Sequence, residues 1–163
     1  MPPVDVSEVS PASSPVSARA PQAVLFVCGM NAVRSPMASA LARHHFGRSV
    51  YVTSAGVRHG EVDPFAISVM REVGLDISEH QPRSLEELAD TSFDLIVTLA
   101  PEAHHKTLEL TRTMAVDVEY WPTADPTVVQ GSRDRILDAY RAVRDGLLKR
   151  IRERLSTTSA SSD

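Results

Sequence analysis

"VLFVCGMNAVRSPMA", residues 24–38, holds the chain's only cysteine, Cys28, at the end of an apolar run, with Arg34 six positions later and the pair Ser35–Pro36 directly after it. Val24 to Val27 read as a strand covered on both faces, because the run is continuously apolar instead of alternating. Ser35 as N-cap and Pro36 at the first helical position read as the start of a helix. Cys28 then stands at the carboxyl end of a strand, in the turn that leads to a helix. Ligands of open parallel sheets bind beyond that end of the strands, so one stretch bears on fold and chemistry together.

The same pattern repeats outward. Short apolar runs at 23–28, 49–55 ("SVYVTSA"), 93–100 ("FDLIVTLA") and 115–121 ("AVDVEYW") alternate with longer segments of helical period. That alternation predicts βα units and a four-stranded parallel sheet. The first helix is expected to stop at Gly47, and a second to run from Asp63–Pro64 to Gly74. Ser84 with Glu87 has the spacing of a capping box for a short third helix, and Pro101 opens the next. Ser132 caps the last helix, on which Ile136, Leu137, Tyr140, Val143, Leu147, Leu148 and Ile151 form one apolar stripe.

Composition bounds the function. A chain of 163 residues with 42% hydrophobic content fits one domain. Net charge is −4, and the basic residues form no run, so a nucleic-acid partner has no electrostatic footprint. One cysteine makes no internal disulfide, and no Cys and His cluster has zinc spacing, so no metal or cofactor is implied and a reducing, cytoplasmic compartment fits. No apolar run approaches the roughly 18 residues of a membrane span. Residues 1–22, rich in Pro, Ser and Ala without a signal-peptide pattern, and residues 156–163 read as disordered tails around a folded domain at 23–155.

Between strand and helix, residues 29–35 (Gly29, Met30, Asn31, Ala32, Val33, Arg34, Ser35) must turn sharply, which leaves several N–H groups without carbonyl partners. Such a turn attracts an oxyanion. Arg34 adds a planar fork that grips two oxygens, and the same positive field favours the thiolate of Cys28, the nucleophilic form. Asn31 tolerates a left-handed backbone and Ser35 can donate to the thiolate. A buried structural cysteine, an ordinary turn asparagine and a simple N-cap serine remain the alternatives.

"VCGMNAVRSP" resembles the C-x5-R-S-P phosphate loop of the low-molecular-weight protein tyrosine phosphatases, at Cys28, Asn31, Arg34, Ser35 and Pro36. The likeness continues through "TSAGV" (53–57), "DIS" (76–78) and Asp125–Pro126, and spans about residues 23–155. It implies a flavodoxin-like three-layer α/β sandwich with strand order 2-1-3-4. It also implies a phosphatase acting on a phosphorylated protein or small phosphomonoester, with Cys28 as nucleophile, residues 29–35 as phosphate cradle and Asp125 as proton donor. By residue type alone, Asp125–Pro126 reads as an ordinary turn pair.

Several positions depart from that pattern. The loop after strand two is "SAGVRHGEVDP", with Gly60 where relatives often carry an aromatic, and Thr127 and Val128 follow Asp-Pro where aromatics are also common. Val33 replaces the second loop cysteine of many relatives. "SAGVRHGEVDPFAISVMREVGLDISEH" and "DLIVTLA" are similar to the thioredoxin-coupled arsenate reductases, a sister family of the same fold. Their two relay cysteines, after the Thr-Leu of strand three and seven residues on, are Ala100 and Thr107 here. A reductase reading therefore requires an external thiol such as glutathione, and Pro36 favours the phosphatases. A third reading is a non-catalytic sensor of phosphorylated ligands or oxidants. The pairs His44–His45 and His104–His105 read as solvated helix surface, Arg58 and His59 as loop residues bordering the cleft, and Trp121 as packing beneath the Asp125 loop.

Overall fold

Side chains alternate across strand β1, Ala23–Cys28, so Val24, Phe26 and Cys28 point to one layer while Leu25 and Val27 point to the other. Both sets are buried, because β1 lies inside the sheet. It pairs in parallel with β2 (Tyr51–Gly56) on one side and β3 (Leu95–Thr98) on the other; β4 (Asp117–Tyr120) pairs with β3, completing the order β2-β1-β3-β4. The chain thus has the α/β architecture expected from its sequence. The structure, a computed structural model, describes residues 20–88 and 92–156. The tails expected at either end lie outside the described residues except at 20–22 and 156, and Gln22 belongs to the folded body, since its N–H donates to Asp94.

Among the described residues four helices cover the sheet: α1 (Arg34–Phe46), α2 (Pro64–Arg71), α3 (Pro101–Leu110) and α4 (Arg133–Leu155). Met37 and Leu41 of α1, Val69 and Met70 of α2, and Leu137, Tyr140, Leu147 and Ile151 of α4 close over Val24, Phe26 and Val97. On the opposite face, Ala103 of α3 with Phe93 and Ala100 closes over Leu25, Val27 and Ile96. Each such fully buried aliphatic side chain contributes ~1.5–3 kcal/mol over its exposed state. Among the described residues no helix is long and apolar enough to cross a membrane.

Several boundaries differ from the sequence reading for identifiable reasons. The runs at 49–55, 93–100 and 115–121 are longer than the ladders at 51–56, 95–98 and 117–120. Phe93, Leu99, Ala100 and Trp121 are apolar because they seal the core beyond the hydrogen-bonded rungs. The Ser84–Glu87 capping box forms, yet it caps only a single 3₁₀ turn, Leu85–Glu87. Helix α1 begins two residues earlier than expected, with Val33 at its N-cap and no side-chain cap. Ser35 sits inside the first turn, because its hydroxyl is taken by the neighbouring loop. Asp63 and Ser132 cap α2 and α4 as their positions suggest.

Candidate active site

Cys28 is the last residue of β1, pairs with Gly56 of β2, and is buried to 2% exposure. Its sulfur lies 2.9 Å from Ser35 Oγ and accepts the Ser35 N–H at 3.4 Å. Both contacts come from the first turn of α1, so the helix's positive end and a hydroxyl meet at the one thiol of the chain.

The loop holding this geometry is zipped to its neighbour. The N–H groups of Val57, Arg58, Gly60 and Asp63 donate to the carbonyls of Cys28, Gly29, Met30 and Ala32 at 2.9–3.1 Å. Those carbonyls are thereby committed to the 57–63 loop, while the N–H groups of Met30, Asn31, Ala32 and Val33 have no backbone acceptor among the described residues. Four unpartnered donors beside an arginine suit a tetrahedral oxyanion. The zipping needs Gly56, where a Cβ would lie 2.3 Å from the Arg58 carbonyl oxygen and 2.7 Å from the Asn31 nitrogen.

Asn31 adopts the left-handed conformation expected of it, φ 56°, and is fully buried. Its Nδ2 donates to Ser35 Oγ at 2.8 Å and Ser54 Oγ at 3.0 Å, and its Oδ1 accepts the Arg83 N–H at 2.9 Å and faces His80 Nε2 at 3.0 Å. An amide oxygen only accepts, so His80 carries its hydrogen on Nε2. Burial first, then the nearby Arg83 and Arg43, lowers the His80 pKa and so disfavours the charged ring. Ser54, His80 and Arg83 escaped the sequence reading, for a lone His or Ser 23 to 52 positions from its partner leaves no local signal.

Cys28, Gly29, Met30, Ala32, Val33, Arg34 and Asp125 share a cleft of about 250 Å³, whose other walls are Arg58, Glu61, Asp63, Glu102 and Thr127. Arg34 and Asp125, 91 positions apart in sequence, thus reach one space with Cys28. Arg34 also donates to the carbonyl of Thr123 at 2.9 Å, which ties the start of α1 to the loop carrying Asp125. The Asp125 carboxylate caps the 3₁₀ turn Pro126–Val128, and its Oδ1 accepts from Thr127 N–H at 3.0 Å and Thr127 Oγ1 at 2.6 Å. Asn31 and Ser35 stand behind the cleft and support Cys28 and its loop.

Arg58 borders the cleft in a two-pronged pair with Glu102 at 3.0 and 3.1 Å, whereas His59 lies 3.5 Å from Glu87. His44, His45 and His105 are exposed. His104, expected in solvent, instead meets Thr98 Oγ1 at 2.9 Å and stacks on Tyr120, because it lies on the inner face of α3. Trp121 is buried edge-on against Phe26. Ala100 and Thr107, where a reductase has its relay cysteines, are both buried.

A sequence profile described as low molecular weight phosphotyrosine protein phosphatase matches residues 23–161. An arsenate reductase of Bacillus licheniformis is 33% identical over 129 residues, covering 79% of this chain and 91% of its own length. Among solved structures, the YwlE arginine phosphatase with a phosphorylated active-site serine superposes with a TM-score of 0.69 at 26% identity, covering 87% of this chain and 97% of its own. A low molecular weight protein tyrosine phosphatase of T. tengcongensis gives 0.68 at 26% identity, covering 81% and 96%. The fold and its family are thereby fixed, while the named activities of these relatives divide between hydrolysis and reduction.

Proposed function

The chain belongs to the low molecular weight phosphotyrosine protein phosphatase family, and on that premise we propose that it is a cysteine-dependent phosphomonoester hydrolase of the cytoplasm. The observation that carries this reading is the sulfur of Cys28, 2.9 Å from Ser35 Oγ, in one cleft with Arg34 and Asp125. The free N–H groups of residues 30–33 and the Arg34 guanidinium bind the phosphoryl oxygens and stabilise the charge that develops on them. Cys28 attacks phosphorus, the bond to the leaving oxygen breaks, and a cysteinyl-phosphate forms. Asp125 delivers its proton to the departing oxygen. Its carboxylate then takes a proton from water, which displaces the thiolate and releases phosphate.

The test compares kcat/KM, which reports formation of the cysteinyl-phosphate, for wild type and Asp125→Asn on two phosphomonoesters, one with a good and one with a poor leaving group. Loss of general acid catalysis costs about 10²–10⁴-fold, and the loss falls mainly on the poor leaving group. Equal losses on both would contradict the acid role. Reduction of arsenate is the second reading, favoured by the 33% identical relative. It requires an external thiol, since Cys28 is the sole cysteine. Arsenite formation with glutathione, together with no phosphate release in the first assay, would replace the hydrolase by that reading.

A further inference from the structure

The walls of the cleft carry four carboxylates, Glu61, Asp63, Glu102 and Asp125, against two guanidiniums, Arg34 and Arg58. Most of these charges are already engaged. Glu102 holds Arg58 with both oxygens. Asp63 caps α2 through Oδ1, accepting from the Phe65 N–H at 2.7 Å, and accepts the Tyr140 hydroxyl on Oδ2 at 2.9 Å. Asp125 is held by Thr127, and Arg34 donates to the Thr123 carbonyl. Glu61 alone among these acids is exposed with neither a hydrogen bond nor an ion pair to its side chain among the described residues.

The wall beside it is apolar but has no ring. Among the described residues no Phe, Tyr or Trp lines the cleft. Met30 is 42% exposed and lies over Gly60, where a Cβ would come within 3.1 Å of Met30 Cε. A flexible thioether thus stands at the mouth and adapts to many shapes. Such a wall does little to choose among leaving groups, and the choice passes to charge.

We propose that Glu61 is a specificity-determining residue that selects phosphorylated peptides with basic side chains flanking the phosphorylated residue. The inference rests on the hydrolase reading for its substrate but not for its test. An acidic flank meets uncompensated like charge at this rim, whereas a lysine or arginine supplies the partner that Glu61 lacks. Charges so arranged steer encounter and reject wrong partners more than they add affinity, and they are screened by salt.

The experiment uses the full chain and two phosphotyrosine peptides that differ only in having Lys/Arg or Glu flanks. Binding is measured on Cys28→Ser, which holds substrate without turning it over, and kcat/KM on wild type. The basic peptide is expected to bind more tightly at low ionic strength, with the margin shrinking as salt is added. Glu61→Gln reduces that margin by about two- to fivefold, the reach of one exposed charge pair, and Glu61→Lys reduces it further. Equal binding of the two peptides, or a margin indifferent to both Glu61 variants, would overturn the proposal. A wild type that hydrolyses neither peptide contradicts the hydrolase reading alone, because the binding margin of Cys28→Ser still decides the role of Glu61.

Discussion

At the scale of single residues, the site is a set of short polar contacts converging on one sulfur. Ser35 is shared by Cys28, Asn31 and the Ala55 carbonyl, so its hydroxyl is fixed from three sides. Ser35→Ala removes the hydroxyl from the thiolate; hydrogen bonds to charged groups are worth ~1.5–3 kcal/mol, so kcat is expected to fall about 10- to 100-fold with the fold intact. Unchanged turnover would show that the serine serves only the helix. His80 makes a different prediction. Its folded pKa lies below the ordinary 6.5, so the unfolded chain binds the extra proton and the fold loses stability as pH falls below that value. His80→Gln keeps a donor for Asn31 but does not titrate. Its melting temperature is expected to decline less steeply between about pH 7 and 5 than that of wild type, and parallel slopes would refute the buried neutral imidazole.

At the scale of elements, α4 grips α2 near both ends. Tyr140 holds the N-cap Asp63, while Arg141 and Arg144 hold Glu72 at the C-cap at 2.7–3.1 Å. The two guanidiniums pull the Glu72 pKa down to about 2, chiefly through their hydrogen bonds. A depressed carboxylate stabilises the fold above its unfolded value of 4.5, and that contribution is lost as pH falls from there through about 2. Glu72→Gln is accordingly expected to melt below wild type near neutral pH, with the two curves converging in acid; a constant gap across that range would show that the clamp works by packing. Arg144, buried to 9% on an otherwise apolar stripe, belongs to the same clamp through the Val69 carbonyl at 2.8 Å. Periodicity does not reveal such a residue, because its long stem packs as a hydrophobe while its head finds partners on another helix.

At the scale of the molecule, what was legible in the sequence was what is local. Continuous apolar runs announced the four strands, and Asp63 and Ser132 announced two helix starts, because each signal acts within a few residues. Cys28, Arg34 and Asp125 were legible through spacing and resemblance, and the structure brings them to one cleft. Ser35 reads both as an N-cap and as a partner of the thiol, and the structure keeps only the second role: Val33 takes the N-cap, while the Ser35 hydroxyl answers to a sulfur seven positions back. The contacts of Asn31 with His80 and Arg83, of Arg34 with Thr123, and the isolation of Glu61 depend on how the loops at the strand ends fold over one another, and no local pattern encodes that. The account stands or falls on covalent chemistry at Cys28. With p-nitrophenyl phosphate, whose leaving group needs little protonation, Asp125→Asn forms the intermediate but lacks the base that hydrolyses it. Acid-quench mass spectrometry of that variant is predicted to find phosphate on Cys28; an unmodified Cys28 in protein that still releases phosphate would contradict the account.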